Sequence, residues 1–176
     1  MTDEQGAASG QAPQPRDGRK TMRRLFLLLS HLVVFVTGIG LGIYLLPILM
    51  AESPPPPTAV LDVERSASFR SEFRTDLRGS DLLHWGEGEV FVTPRQIAHR
   101  GRLSPGPDYK LYLAPVFVDD EASFLAIKDK SLRIGDVKGF SGFIAPVPEG
   151  VDVNAYSAVV IWCERFGRFI SAAKYR

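Results

Sequence analysis

The single cysteine in 176 residues, Cys163, stands in VVIWCERFGRF, Val159 to Phe169. A thiolate is a nucleophile and a metal ligand, but it forms only where a cation, a helix amino terminus or a metal lowers the thiol pKa. Arg165 and Arg168 are cations close by in sequence. With one cysteine there is no internal disulfide, no CxxC couple and no CxxCH haem-attachment motif, although a lone cysteine or histidine can in principle serve as an axial haem ligand. Alternate residues of a strand share a face, so Val159, Ile161 and Cys163 form one row and Val160, Trp162 and Glu164 the other. The first row is apolar apart from the thiol, which is therefore expected to face a core, where burial raises its pKa and makes it inert.

Other candidates are weaker. His84 and His99 lie fifteen positions apart. His84 with Glu87 and Glu89 gives a metal site only if the turn folds back on itself, because zinc needs three or four ligands at close range; surface polar residues beside a turn are the ordinary explanation, and no metal is expected. Asp108, in SPGPD, most simply caps a turn through its side chain. The chain has no GxSxG, phosphate-binding glycine loop or HExxH, so no standard catalytic motif supports an enzyme.

The elements that would position Cys163 are short and rich in Val, Ile, Phe, Tyr and Trp. GEVFVT (88–93), RQIAHRGRL (95–103), YKLYLAPVFV (109–118), LRIGDVKG (132–139), SGFIAPV (141–147), AVVIWCERF (158–166) and RFISAAKY (168–175) read as strands. Turn residues in SPGPD, DDEAS and VPEGVD separate them. The reading is all-β, one compact antiparallel β-sandwich or barrel over residues 80–176. Ahead of it, Val60, Val63, Ala67, Phe69, Phe73 and Leu77 predict a short amphipathic juxtamembrane helix, with Arg70, Arg74 and Arg78 as a second row. Residues 59–176 hold 16 Lys and Arg against 16 Asp and Glu, which leaves no electrostatic footprint for nucleic acid.

Residues 25–50 carry no formal charge when His31 is neutral. As a helix they rise about 39 Å, against a hydrocarbon thickness of roughly 30 Å, so the lipid bilayer is the expected partner of one transmembrane signal-anchor helix. Arg16, Arg19, Lys20, Arg23 and Arg24 precede the run, which places the amino terminus in the cytoplasm and the rest across the cytoplasmic membrane. A cleaved signal peptide fits less well, since its apolar core is shorter and Leu49 stands where a small residue is wanted before Ala51. Gly38 and Gly42 share a helix face and are a weak signal for a homodimer. Residues 1–24 read as a disordered tail. Residues 51–79 carry ESPPPPT (52–58), a stiff polyproline II stalk, followed by the amphipathic helix.

The segments SPGPDYKLYLAP (104–115) and IGDVKGFSGFIAPVPEGVDVNAYSAVVIWCERFGRFISAAKY (134–175) together resemble the DM-thirteen domain, or electron-transfer DM domain. The resemblance rests on a Gly-Pro-Asp turn leading into a Tyr-Leu strand, then a Lys-Gly turn, then a Val-Ile-Trp-Cys strand. It implies a compact β-sandwich in a membrane-anchored protein, with Cys163, next to Trp162, as the candidate redox or cofactor-linked residue; the cofactor is unknown. Two functions remain open. One is a tethered extracytoplasmic domain with a binding or structural role in the cell envelope. The other is an electron-transfer or redox accessory domain using Cys163, with any cofactor held by an envelope partner protein. If Cys163 is packing alone, function moves to the loops around Asp108 and Asp136.

Overall fold

The computed structural model describes residues 17–176, and the chain divides into two compact units at the Leu41 and Gly42 boundary. Helix α1 (Asp17–Leu49) contains the expected apolar run up to Leu49 and begins ahead of it. Residues 17–24, expected as part of a disordered tail, are helical because Arg, Lys and Met extend a helix readily once the apolar run has nucleated it. The remainder of that tail lies outside the described residues. Among the described residues, Gly18–Leu49 is the one stretch long and apolar enough to cross a membrane. Pro47 sits in its last turn, where a missing N–H costs little.

In the second unit the proline-rich segment does not stand off as a free stalk. The Glu52 N–H donates to the Lys138 carbonyl at 3.1 Å, and Pro57 already occupies the first turn of α2 (Pro57–Arg65). Proline is well placed there, since its fixed φ suits the helix and the N–H it lacks would have no partner. Val60 and Val63 are the buried side of α2.

The helical spacing does not continue to Leu77. After Ser66 the chain extends into β1 (Phe69–Phe73), whose burial alternates residue by residue. Phe69 and Phe73 are four apart, a separation that fits one helix face and one strand face equally; pairing of Phe69 with Val92 and of Phe73 with Gly88 decides for the strand. The sheet therefore begins before residue 80.

Seven further strands follow: β2 (Gly86–Val92), β3 (Gln96–Leu103), β4 (Tyr109–Ala114), β5 (Leu132–Val137), β6 (Phe143–Pro146), β7 (Ala158–Cys163) and β8 (Arg168–Lys174). Strand β4 stops at Ala114, short of the expected Val118, because Pro115 has no N–H for the ladder. Helix α3 (Glu121–Leu125) and 3₁₀ turns at Lys128–Lys130 and Val153–Ala155 lie in the connections.

Two four-stranded antiparallel sheets result, in the orders β1-β2-β3-β6 and β5-β4-β7-β8. This is the sandwich of the two expected alternatives. Their facing sides enclose a core that includes Val90, Ile97, Leu111, Val159, Ile161 and Ile170. Both outer faces are covered as well. Val60 and Val63 of α2 lie over Phe91 and Ala98 on the first sheet, and Phe124 of α3 lies over Tyr112, Trp162 and Phe169 on the second. Each such large apolar side chain contributes about 1.5–3 kcal/mol by leaving water. Strand β7 is buried along its whole length, which explains its unbroken apolar sequence.

Candidate functional site

Cys163 ends β7, opposite Tyr109 on β4 and Arg168 on β8. It is 2% exposed and packs into the inter-sheet core with Val159 and Ile161, the row that alternation predicts. Burial pushes the thiol pKa up, and the peptide N–H groups of Phe166, Asp108 and Arg165 act on the sulfur in the opposite direction. The net effect is upward, so the resting sulfur is a protonated thiol at neutral pH. Converging N–H groups would favour negative charge on that sulfur once it forms.

Two turns cover the thiol. Residues 164–167 join β7 to β8, with Gly167 at φ +60°, a left-handed conformation that glycine adopts without strain. The Glu164 N–H donates to the Asp108 carbonyl at 3.0 Å and ties this turn to the one before β4. In that second turn Gly106 is required by contact rather than by φ, because a Cβ there would run into the Tyr109 ring. The Tyr109 hydroxyl lies 3.3 Å from Ser104 Oγ, and its ring meets Phe140 edge to face at 5.8 Å between centroids. Burial drives the Tyr109 phenol pKa upward.

Asp108 does not cap the turn with its side chain as expected. Its carboxylate is 2.6 Å from Lys110 Nζ, which is also 2.9 Å from Asp136 Oδ1, while Arg133 approaches the same Asp136 oxygen at 2.8 Å. Burial opposes the charge on Lys110, but the two carboxylates outweigh it and raise the lysine pKa. The loops around Asp108 and Asp136, far apart in sequence, are thus joined through one ammonium.

Trp162 is not part of this assembly. It points to the other face of the sheet, where its ring lies 5.1 Å from Phe124 and 5.4 Å from Lys128 Nζ. Lys128 approaches Glu164 at 2.7 Å, and the Tyr112 hydroxyl donates to the other oxygen of the same carboxylate. Adjacency in sequence therefore puts Cys163 and Trp162 in separate compartments. Tyr109, Lys110 and Phe140 went unmarked among the candidate site residues; the available signal was a tyrosine and a lysine immediately after a Gly-Pro-Asp turn.

The histidines separate too. His84 Nδ1 is 2.8 Å from Asp81, while Glu87 pairs with Arg102 and Glu89 with Arg100, so His84, Glu87 and Glu89 do not converge. Among the described residues no group of three His, Cys, Asp or Glu side chains could hold a metal ion. His99 is a core residue, not a surface one, because alternation along β3 places it on the Ile97 side. Its Nε2 is 2.9 Å from the Glu87 carbonyl, and its ring lies between Phe73 and Phe143 at 5.0 and 5.3 Å. Burial lowers its pKa to about 4.

Arg168 pairs with Glu121 at 3.0 Å, and neither it nor the Arg165 guanidinium is a counter-ion to the thiol. Beside the two turns lies a cleft of about 590 Å³ lined by Gly106, Tyr109, Phe140, Arg165 and Phe166 among others. Cys163 is not on its wall. A group seated in the cleft touches the turns that cover the sulfur rather than the sulfur itself.

No curated protein and no solved structure matches this chain. A family model does: the one described as electron transfer DM13 matches residues 72–175, which takes in seven of the eight strands whole, the last two residues of β1, both turns over the thiol and Cys163 itself. On that match, which spans more than half of its length, the chain belongs to the DM13 electron-transfer family.

Proposed function

We propose that the chain is a membrane-tethered electron-transfer domain in which Cys163 is the redox-linked group. The observation that carries the reading is the family match over a sandwich that encloses its one thiol beneath two linked turns. Peptide N–H groups at the sulfur support it, since they would stabilise a thiolate or a thiolate bound to a prosthetic group more than a neutral thiol. The match favours this reading over a purely structural role in the envelope.

The chain has no second cysteine, so a redox cycle at Cys163 requires a partner. In the thiol route the deprotonated sulfur attacks a partner disulfide, one S–S bond breaks as another forms, and the partner's second sulfur leaves as a thiolate. In the cofactor route the partner supplies a prosthetic group to which the thiolate binds. Either route requires the 164–167 turn to move. The apolar part of α1 serves as the anchor, with the basic flank inside the cell and the β domain outside it.

The test is voltammetry of the full chain in detergent, with and without a small-molecule disulfide, beside its absorbance spectrum. Electron transfer through Cys163 gives a couple or a chromophore that Cys163→Ala abolishes while the β-sheet circular dichroism persists. A folded protein with no couple, no chromophore and no disulfide exchange refutes the proposal.

A further inference from the structure

The cleft beside Tyr109 has a second wall that the thiol chemistry does not explain. Ile43, Leu46 and Pro47, in the final turns of α1, and Met50 just after it line the cleft opposite the 106–110 and 165–166 turns. All four belong to the same compact unit as the β domain. Ile43, Leu46 and Pro47 also close the stretch long and apolar enough to cross a membrane, so on the anchor reading a molecule dissolved in hydrocarbon would reach this wall without crossing bulk water.

Phe140, Phe166 and the Tyr109 ring supply flat apolar surface on the domain side. Phe166 is half exposed at the tip of its turn, where folding does not require an aromatic side chain. Lys138 and Arg165 add cationic donors to the rim. The Arg165 guanidinium makes no hydrogen bond or ion pair among the described residues, and Lys138 Nζ has only Glu52, at 3.5 Å. The volume, about 590 Å³, is within the range of small-molecule sites.

From these features we infer that the cleft binds the headgroup of a membrane-dissolved isoprenoid quinone. A quinone matches each feature separately: a flat ring for the aromatic side chains, carbonyl acceptors for Lys138 and Arg165, and a prenyl tail for the wall of α1. An acyl chain would leave the cations without a role. A polar redox carrier would leave the apolar wall without one. Tyr109 lines the cleft and is the register partner of Cys163, so the quinone ring lies one side chain away from the strand that bears the thiol. The inference rests on the anchor and electron-transfer readings and names the class of partner for that site.

The experiment uses the full chain in phosphatidylcholine nanodiscs with an azido-benzoquinone carrying a decyl tail, irradiated and mapped by mass spectrometry. Saturable labelling is expected in peptides containing residues 106–110, 138–140 or 165–166, displaced by unlabelled decyl-benzoquinone. Arg165→Glu on the exposed turn and Leu46→Trp in the apolar wall each weaken apparent affinity at least tenfold, while Leu82→Ala, remote from the cleft, leaves it unchanged. Arg165→Glu removes no buried contact, so it decides the matter if Leu46→Trp disturbs the helix. Unsaturable labelling, labelling spread along α1, or equal displacement by oleate or by a short-chain phosphatidylglycerol overturns the inference. Voltammetry in quinone-free nanodiscs separates the two proposals: saturable labelling of a redox-silent protein removes electron transfer and keeps the site, and a redox-active protein without labelling removes the site alone.

Discussion

Lowering the pH should destabilise this sandwich through one side chain, His99. Its ring is enclosed by Phe73 and Phe143, its Nε2 faces the Glu87 carbonyl, and burial holds its pKa at about 4 against an ordinary 6.5. Between those two values the unfolded chain binds a proton that the folded chain refuses. Stability therefore rises with pH across this window, and the contribution of the neutral ring is lost as pH falls from 6.5 towards 4. Each pH unit is worth about 1.4 kcal/mol, so the whole window removes about 3 kcal/mol, a large part of the 5–15 kcal/mol typical of a domain. Urea unfolding of the full chain in mild detergent measures it. Both tryptophans, Trp85 and Trp162, lie in the β domain, so fluorescence reports that unit and not α1. His99→Phe keeps an aromatic ring at the site and removes the titration. Its cost at pH 7.5 should be about 1 kcal/mol for the lost hydrogen bond, and its stability should fall less than wild type between pH 7 and pH 4.5, by about 2–3 kcal/mol. Surface carboxylates titrate alike in both proteins and cancel. Parallel pH profiles would refute the argument.

Cys163 should react slowly with a thiol reagent in the folded protein and rapidly in denaturant; Cys163→Ser should cost about 1–3 kcal/mol in urea titration, because a hydroxyl replaces the thiol in the core. Gly106→Ala should cost a similar amount, about 1–3 kcal/mol, by forcing the Tyr109 ring aside, and should speed labelling of Cys163 as the covering turn loosens. Phe124→Ala should cost about 3–5 kcal/mol by opening a cavity over Trp162, visible as a red shift of tryptophan emission with thiol labelling unchanged. Alkaline phosphatase fused after Thr58 should be active in a bacterial host, and an inactive fusion would reverse the orientation assigned to α1.

What could be read from the sequence follows the range of the interactions. The Val159, Ile161 and Cys163 row was legible because period-two alternation is local, and β7 obeys it. Strand β1 was not, since Phe69 and Phe73 satisfy both periods and only the distant β2 chooses between them. His99 read as a surface group because the charged neighbours Arg100 and Arg102 mask the alternation that buries it. The meeting of Tyr109 with Cys163, and of Asp108 with Asp136 through Lys110, depends on the registers of β4 with β7 and β5, which no local pattern encodes. The Tyr112, Lys128 and Glu164 cluster was hidden for the same reason: its members come from three segments brought together by the second sheet.

The cover that α2 lays over the first sheet bears on where this protein can be cut. A fragment begun at residue 72, the start of the family match, severs β1 within its five residues and discards Val60 and Val63. Strand β2 would become an open edge with Phe91 and Ala98 bare beside it, a template for self-association rather than a soluble module. The smallest excisable piece therefore starts before Pro57, because the same nine-residue helix that follows α1 is the cover over Phe91 and Ala98.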